Sequence, residues 1–208
     1  SIYGDDDNRK SAVDMWRIYR PLRELAKHVD WQIDHRPTVI PEIEKYKSEK
    51  EFTDEEMQKA FDNVCEYDIV FSSYSSNASN YVLLRVAEEK AGTKFIMDVD
   101  DDMFSVNPDN PFWVKMTDED CFKMQLMIKD NTYISTTTDR LARVVRDRRQ
   151  QPDDSVFVIP NYITDEYTQT PYDNDDIVIG YFGGSSHYAD LHDTGAMDAV
   201  QKLMIENK

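Results

Sequence analysis

The chain has little basic charge, little cysteine and no long apolar run. Lys and Arg number 24 against 41 Asp and Glu, for a net charge of -17. This excludes a general nucleic-acid or anionic-membrane binder, since both need a basic surface. Cys65 and Cys121 lie in unrelated contexts, which predicts reduced thiols rather than a disulfide framework. No stretch approaches about 18 apolar residues and no secretory signal is visible, so we expect a cytoplasmic protein without a transmembrane segment.

Several familiar sequence signatures are also missing. No Gly-Lys-Ser/Thr follows a glycine-rich loop, and the GxGxxG spacing of a dinucleotide site does not occur. The four histidines show no metal-ligand spacing with cysteine, and no Ser-His-Asp order can be recognised. An anionic small ligand would therefore need a local site of backbone N–H groups or a few Arg and Lys side chains.

Apolar runs and helical stripes alternate along most of the chain. Strands are predicted at residues 1–3, 29–33, 67–71, 132–135 and 156–159, besides the run that begins at Lys94. Helices are predicted at 11–28 with a kink or restart at Pro21, at 42–63 with a break near Phe52, up to Ala91, and at 117–129 and 138–149. Strand and helix repeated about five times predict an α/β fold with a doubly wound parallel sheet.

The stretch KFIMDVDDDMF, from Lys94 to Phe104, is the most informative. Its apolar run predicts a strand buried on both faces, and four acids follow within five residues (Asp98, Asp100, Asp101 and Asp102). Unpaired charges cannot stay in a core, so we expect the strand to leave the core as the acids begin. Ligands of open α/β sheets bind at the carboxyl ends of strands, which would place the acids in a site. The competing interpretation is a solvated acidic turn.

The spacing of these acids fits two chemistries. An Asp-x-Asp pair can hold magnesium for a nucleoside diphosphate, because carboxylates suit a hard cation. A phosphatase nucleophile pair would follow the first strand with Thr or Val two residues beyond, whereas here the pair follows a middle strand and Asp102 comes next. We discount the phosphatase.

Two other groups are candidates for ligand contact. Arg17, Arg20 and Arg23 lie three apart on one helix face, which favours a solvated face over an anion contact. The loop Gly183, Gly184, Ser185, Ser186 and His187 follows a predicted strand at 177–182 and precedes a helix at 194–206. Its glycines permit close approach of a ligand and its hydroxyls can bind phosphate or sugar oxygens, but a tight turn with a capping serine fits equally.

The ordered set YDIVFSS, KFIMDVDDDMF, ISTTTDRLARVV, VFVIPNYI and IVIGYFGGSSHYADL resembles a glycosyltransferase. It is most similar to the bacterial and phage-type transferases of the two-domain GT-B architecture, near the large family 4 group. The resemblance covers most of residues 67–191. It implies a Rossmann-like, acceptor-side domain over 1–161, a linker over 162–176 and the start of a donor-side domain over 177–208, which would continue beyond Lys208.

The resemblance also implies a set of site residues. Gly4 matches the loop after the family's first strand, Asn161 marks the crossing to the second domain, and Gly183 to Ser185 match that domain's first loop. The implied cleft thus contains Gly4, Arg17, Arg20, Asp98, Asn161, Gly183, Gly184, Ser185, Ser186 and His187. Asp100 and Asp101 are the candidates for the base that activates the acceptor. The family does not depend on an Asp-x-Asp metal, so no metal and no cofactor is expected beyond the nucleotide-sugar co-substrate.

Two functions follow as hypotheses. The first is a hexosyltransferase-type enzyme that moves a sugar from a nucleotide-sugar to an acceptor and that needs the full-length form for activity, so that this fragment would be inactive alone. The second is a non-catalytic α/β module that binds a partner or a divalent ion. The sequence leaves the donor sugar, the acceptor, the stereochemical outcome and the oligomeric state open.

Overall fold

The computed structural model describes residues 14–35, 53–73, 78–106, 110, 117–149, 153–161 and 188–206. The helical elements are a π-helical turn Asp14–Tyr19, α1 Arg20–Leu25, α2 Asp54–Cys65, α3 Ala78–Ala91, α4 Asp118–Asp130, α5 Asp139–Arg146, a 3-10 turn Asp153–Ser155, α6 Tyr188–Asp193 and α7 Ala196–Glu206. The strands are β1 Ile69–Ser73, β2 Lys94–Val99, β3 Tyr133–Thr136 and β4 Val156–Val158.

The four strands form one parallel sheet in the order β1-β2-β3-β4. Each step between neighbours is a crossover through a helix, and right-handed crossovers in one direction place α3, α4 and α5 on the same face. The predicted α/β fold with a parallel sheet is confirmed. A doubly wound sheet also needs a reversal of strand order, which does not occur among the described strands, and the strand predicted at residues 1–3 lies outside them.

Alternation along β2 gives the sheet two different faces. Phe95, Met97 and Val99 are buried on one face, where the ring of Phe95 meets Tyr81 of α3 edge-on. Asp98 therefore projects from the opposite face, and its register partner on β3 is Ser135. The helix-covered face is an apolar core, while the other face carries a buried polar pair near the carboxyl ends of the strands.

Local signals correctly predicted several helix ends. Thr53 caps α2 with a capping box, since its hydroxyl accepts from the Glu56 N–H and the Glu56 carboxylate accepts from the Thr53 N–H. Thr138 caps α5 by accepting from the N–H of Leu141. Gly92 follows α3 with φ of +80°, the left-handed conformation that a helix-ending glycine adopts.

Replacing Gly92 with alanine should cost about 1–2 kcal/mol, because a Cβ strains the left-handed conformation. No atom lies within 4 Å of the place where that Cβ would stand, so the cost arises from the backbone alone. Urea denaturation followed by circular dichroism measures it. Gly92→Asn should lose less, because asparagine tolerates this conformation better. Equal losses in the two variants would contradict the assigned backbone geometry.

The N-terminal helix contains the predicted restart at Pro21. Residues 14–19 form a π-helical turn, and regular α-helix begins at Arg20 with the proline in its first positions, where a missing N–H costs nothing. Ile18 and Tyr19 are buried, and the turn contacts β1. Single π-helical turns are rare and often accompany functional sites.

Two predicted elements were wrong. Residues 29–33 form no strand: Trp31 is 61% exposed, so the alternation of apolar and polar residues there has no buried face behind it. This extended segment is instead held by side chains, through a hydrogen bond from Tyr67 to Asp34 and an edge contact between Tyr19 and His35. The second error concerns residues 188–193: no helix was predicted before residue 194, but these residues form helix α6.

The chain divides into two compact units by its internal contacts. The first contains residues 1–101 and 122–162, and the second contains residues 102–121 and 163–208. No helix in the described ranges is both long and apolar enough to cross a bilayer. Cys65 and Cys121 are free thiols, as predicted.

Candidate active site

The acids of β2 do not form one solvated cluster. Asp98 lies inside the strand and is 0% exposed, Asp100 is half-buried just beyond the strand, and Asp101 is exposed. Asp102 belongs to the second unit and accepts a hydrogen bond from the N–H of Phe104, as in an Asx turn. The expectation that the strand leaves the core at its first acid was wrong, since β2 continues through Asp98 to Val99.

Asp98 can be buried because the side chain of Arg17 is buried beside it and forms an ion pair with it. Arg17 donates from Nε to Asp98 Oδ2 at 2.9 Å and from Nη2 to Oδ1 at 2.5 Å. Ser135 Oγ donates to the same Oδ1 at 2.6 Å. The fork of the guanidinium matches both carboxylate oxygens, which offsets the large cost of removing the two charges from water. Arg17 is only 6% exposed, so the interpretation of this arginine as part of a solvated face was wrong.

The same guanidinium also reaches the segment that follows β4. Its Nη1 donates to the backbone carbonyl of Ile159 at 2.5 Å and to Asn161 Oδ1 at 3.1 Å. Asn161 is the second-last residue of the first unit before residue 163 begins a stretch of the second. One buried cation therefore joins the N-terminal helix, the end of β2 and the exit from β4.

The carboxylate of Asp98 is fully engaged by protein groups. Both of its oxygens accept hydrogen bonds, and Arg17 already neutralises its charge. Among the residues that the structure describes, no group of three or more His, Cys, Asp or Glu side chains is arranged to hold a metal ion. The Asp98 half of the Asp-x-Asp pair is thus engaged by Arg17 and Ser135.

The carboxyl of Asp100 has a raised pKa. Burial raises the pKa of its carboxyl above the ordinary 3.8, and the negative charges of Asp101 and Asp98 raise it further. Its own backbone hydrogen bond and the charge of Arg17 act in the opposite direction and are outweighed. A half-buried carboxyl with a raised pKa at the carboxyl edge of a parallel sheet is a candidate for a general base.

The sequence did not reveal that hydroxyls at the carboxyl end of β3 would hydrogen-bond these acids. Ser135 donates to the Asp98 carboxylate and Thr137 Oγ1 donates to the backbone carbonyl of Asp100 at 3.2 Å. A run of hydroxyl residues directly after a predicted strand was the available signal, but its partners depend on the register between β2 and β3.

The structure brings together three of the residues in the predicted cleft, namely Arg17, Asp98 and Asn161. The guanidinium of Arg20 lies 4.6 Å from the ring centroid of Trp16. Five predicted loop residues of the second domain, Gly183 to His187, and the predicted cleft residue Gly4 lie outside the described residues.

A separate concave surface lies between α2 and α3. It is an open groove of about 390 Å³ with a mostly apolar lining (Asp54, Met57, Gln58, Phe61, Val82, Leu83 and Val86). It lacks the buried, convergent polar groups that mark the Asp98 end of the sheet. The candidate site is therefore assigned from its chemistry rather than from the size of this groove.

No family model, no curated protein and no solved structure matches the chain.

Proposed function

We propose that the chain forms the acceptor-side part of a GT-B-type glycosyltransferase that uses a nucleotide-sugar donor. The observation that supports this most is the half-buried Asp100, whose raised pKa suits a base, at the carboxyl edge of a parallel sheet. Beside it the Arg17–Asp98 pair contacts Asn161, the residue at which the resemblance marks the crossing to a donor-side domain.

The proposed reaction forms a bond between an acceptor oxygen and the anomeric carbon of the donor sugar, and breaks the bond from that carbon to the nucleoside diphosphate. The anomeric carbon gains oxocarbenium character while the diphosphate departs with the bonding electrons. Asp100 takes the proton of the acceptor hydroxyl, with Asp101 as the second candidate. Backbone N–H groups, such as those of Gly183 and Gly184, would stabilise the departing diphosphate.

The finer architecture belongs to the same proposal. The parallel sheet would be part of a doubly wound, Rossmann-like domain over residues 1–161, joined by a linker over 162–176 to a donor-side domain that begins at 177. The hexosyltransferase type of the reaction also rests on the resemblance.

The test is a donor panel applied to the protein expressed from its whole reading frame. Uridine, guanosine, thymidine and cytidine sugar nucleotides are added with a pool of simple glycosides, and release of the nucleotide is measured. We expect one donor class to be turned over and to protect the protein against heat.

The competing function is a module that binds a partner or a divalent ion. If no sugar nucleotide protects the protein while calcium or magnesium does, at micromolar concentration, the transferase is wrong and the ion-binding module is right. The engaged oxygens of Asp98 argue against that result.

A further inference from the structure

Every hydroxyl in the tract Ser135–Thr138 has a separate partner. Ser135 and Thr137, two residues apart, donate to Asp98 and to the Asp100 carbonyl, which are also two residues apart. Between them, Thr136 Oγ1 is 3.4 Å from the carbonyls of Phe157 and Thr138, and Thr138 caps α5. The parallel register that pairs Asp98 with Ser135 explains the match, because the next same-face positions are Asp100 and Thr137.

This match fixes the backbone just where the strand ends. β2 ends at Val99 and β3 at Thr136, so the contact between Thr137 and Asp100 lies one residue beyond the ladder of each strand. This contact adds a hydrogen bond to the Asp100 peptide just past the last strand pair, where it helps to set the direction of the side chain. The buried Arg17–Asp98 pair fixes the strand two residues before Asp100, and the Thr137 hydrogen bond fixes the backbone at Asp100 itself.

We propose that Thr137 is a positioning residue for Asp100, which aims the carboxylate at the acceptor hydroxyl. The role of Asp100 as the base rests on the proposed function. Thr137 itself touches no reacting atom, since its hydroxyl is engaged by a backbone carbonyl. Its side chain determines where the base stands, and misplacement of a catalytic group by about 1 Å can cost about 100-fold in rate.

The surroundings of Asp100 determine how its pKa would change if the Thr137 hydrogen bond were lost. Asp101 lies next to it along the chain, and Asp98 and Arg17 are the charged groups of the neighbouring core that act on its carboxyl. Burial is the largest cause of the raised pKa of Asp100. When the hydrogen bond from Thr137 to the backbone carbonyl of Asp100 is lost, we expect the Asp100 carboxyl to turn toward water, so its pKa falls toward the ordinary value.

Two variants separate positioning from plain structural support. Thr137→Val keeps the shape and removes the donor, while Thr137→Ser keeps the donor. The control is Thr132→Val, directly before the same strand, where the hydroxyl is also half-buried, donates to Glu88 at 3.3 Å and accepts from Arg85 at 3.2 Å. Thr132→Val removes both of these hydrogen bonds and Thr137→Val removes one, so the control should lose at least as much stability as Thr137→Val.

The measurements are kcat, KM and the pKa of Asp100 from carboxyl-carbon NMR. We expect Thr137→Val to lower kcat at least 10-fold with little change in KM and to lower the pKa of Asp100, whereas Thr132→Val changes neither and Thr137→Ser restores both. The proposal is overturned if Thr137→Val and Thr132→Val behave alike. The NMR titration needs no substrate, so it tests the contact even if no sugar nucleotide is turned over, which would refute the transferase alone.

Discussion

Replacing Arg17 with methionine should lower the free energy of unfolding by about 3–5 kcal/mol, the usual cost of leaving one charge of a buried pair without its partner. Asp98 is 0% exposed, and in this variant it loses two guanidinium hydrogen bonds and keeps the one from the Ser135 hydroxyl. Asp98→Asn should cost a similar amount, because the buried guanidinium then lacks a counter-charge. Urea denaturation followed by circular dichroism measures both losses.

The double variant Arg17→Met with Asp98→Leu should be more stable than either single variant, because it removes both charges and leaves apolar side chains. The matched control is Lys27→Met, which breaks the exposed ion pair between Lys27 and Glu24 near the end of the same helical segment. Exposed pairs contribute little, so this variant should unfold nearly like the wild type. If Arg17→Met lost no more stability than Lys27→Met, the pair would not be buried in solution.

The features that the sequence predicted correctly are those set by neighbours in the chain. The cap at Thr53 depends on Glu56 three residues later, and the left-handed Gly92 ends the helix that directly precedes it. Apolar runs located β1 to β4 within two residues, because the apolar residues of each strand are neighbours in the sequence. These signals need no knowledge of the tertiary fold.

The site was harder to predict because its contacts are distant in sequence. Arg17 and Asp98 are 81 positions apart, and Ser135 and Asp98 are 37 apart. Helical spacing places Arg17 on one face with Arg20 and Arg23, but spacing cannot tell which of them enters a core. The π-helical turn and the packing of the helix against β1 decide that for Arg17. Asp98 and Asn161 were included in the cleft for other reasons, and their shared partner is a finding of the structure.

The false strand at residues 29–33 has a related cause. Alternation predicts a strand only when a sheet is present to bury one face, and Trp31 shows that no such cover exists there. Asp98 was expected to end β2 because its sequence neighbours offer no counter-charge. A strand can keep a charged residue when a distant arginine supplies the counter-charge and both hydrogen bonds.

Replacing Asp100 with asparagine should abolish most sugar transfer and at the same time stabilise the fold. As the proposed base, its loss should lower kcat by about 100-fold or more. The raised pKa means that the folded protein binds more protons than the unfolded chain between pH 3.8 and that raised pKa, so wild-type stability falls as pH rises through this window. The asparagine variant lacks that fall. Its advantage in free energy of unfolding should therefore be small in acid, grow through the window and stay constant above it.

Denaturant unfolding at a series of pH values, together with the transfer assay, tests both halves of this expectation. Asp68→Asn is the control, because Asp68 is exposed at the opposite, amino edge of the sheet and should change neither quantity. Asp101→Asn decides between the two candidate acids: the exposed Asp101 should matter less to turnover than Asp100. An Asp100→Asn protein that is less stable than the wild type at neutral pH would contradict the buried environment of this carboxyl. A fully active one would remove Asp100 from the mechanism, because a base that gains a proton in the reaction cannot be replaced by an amide without loss of rate.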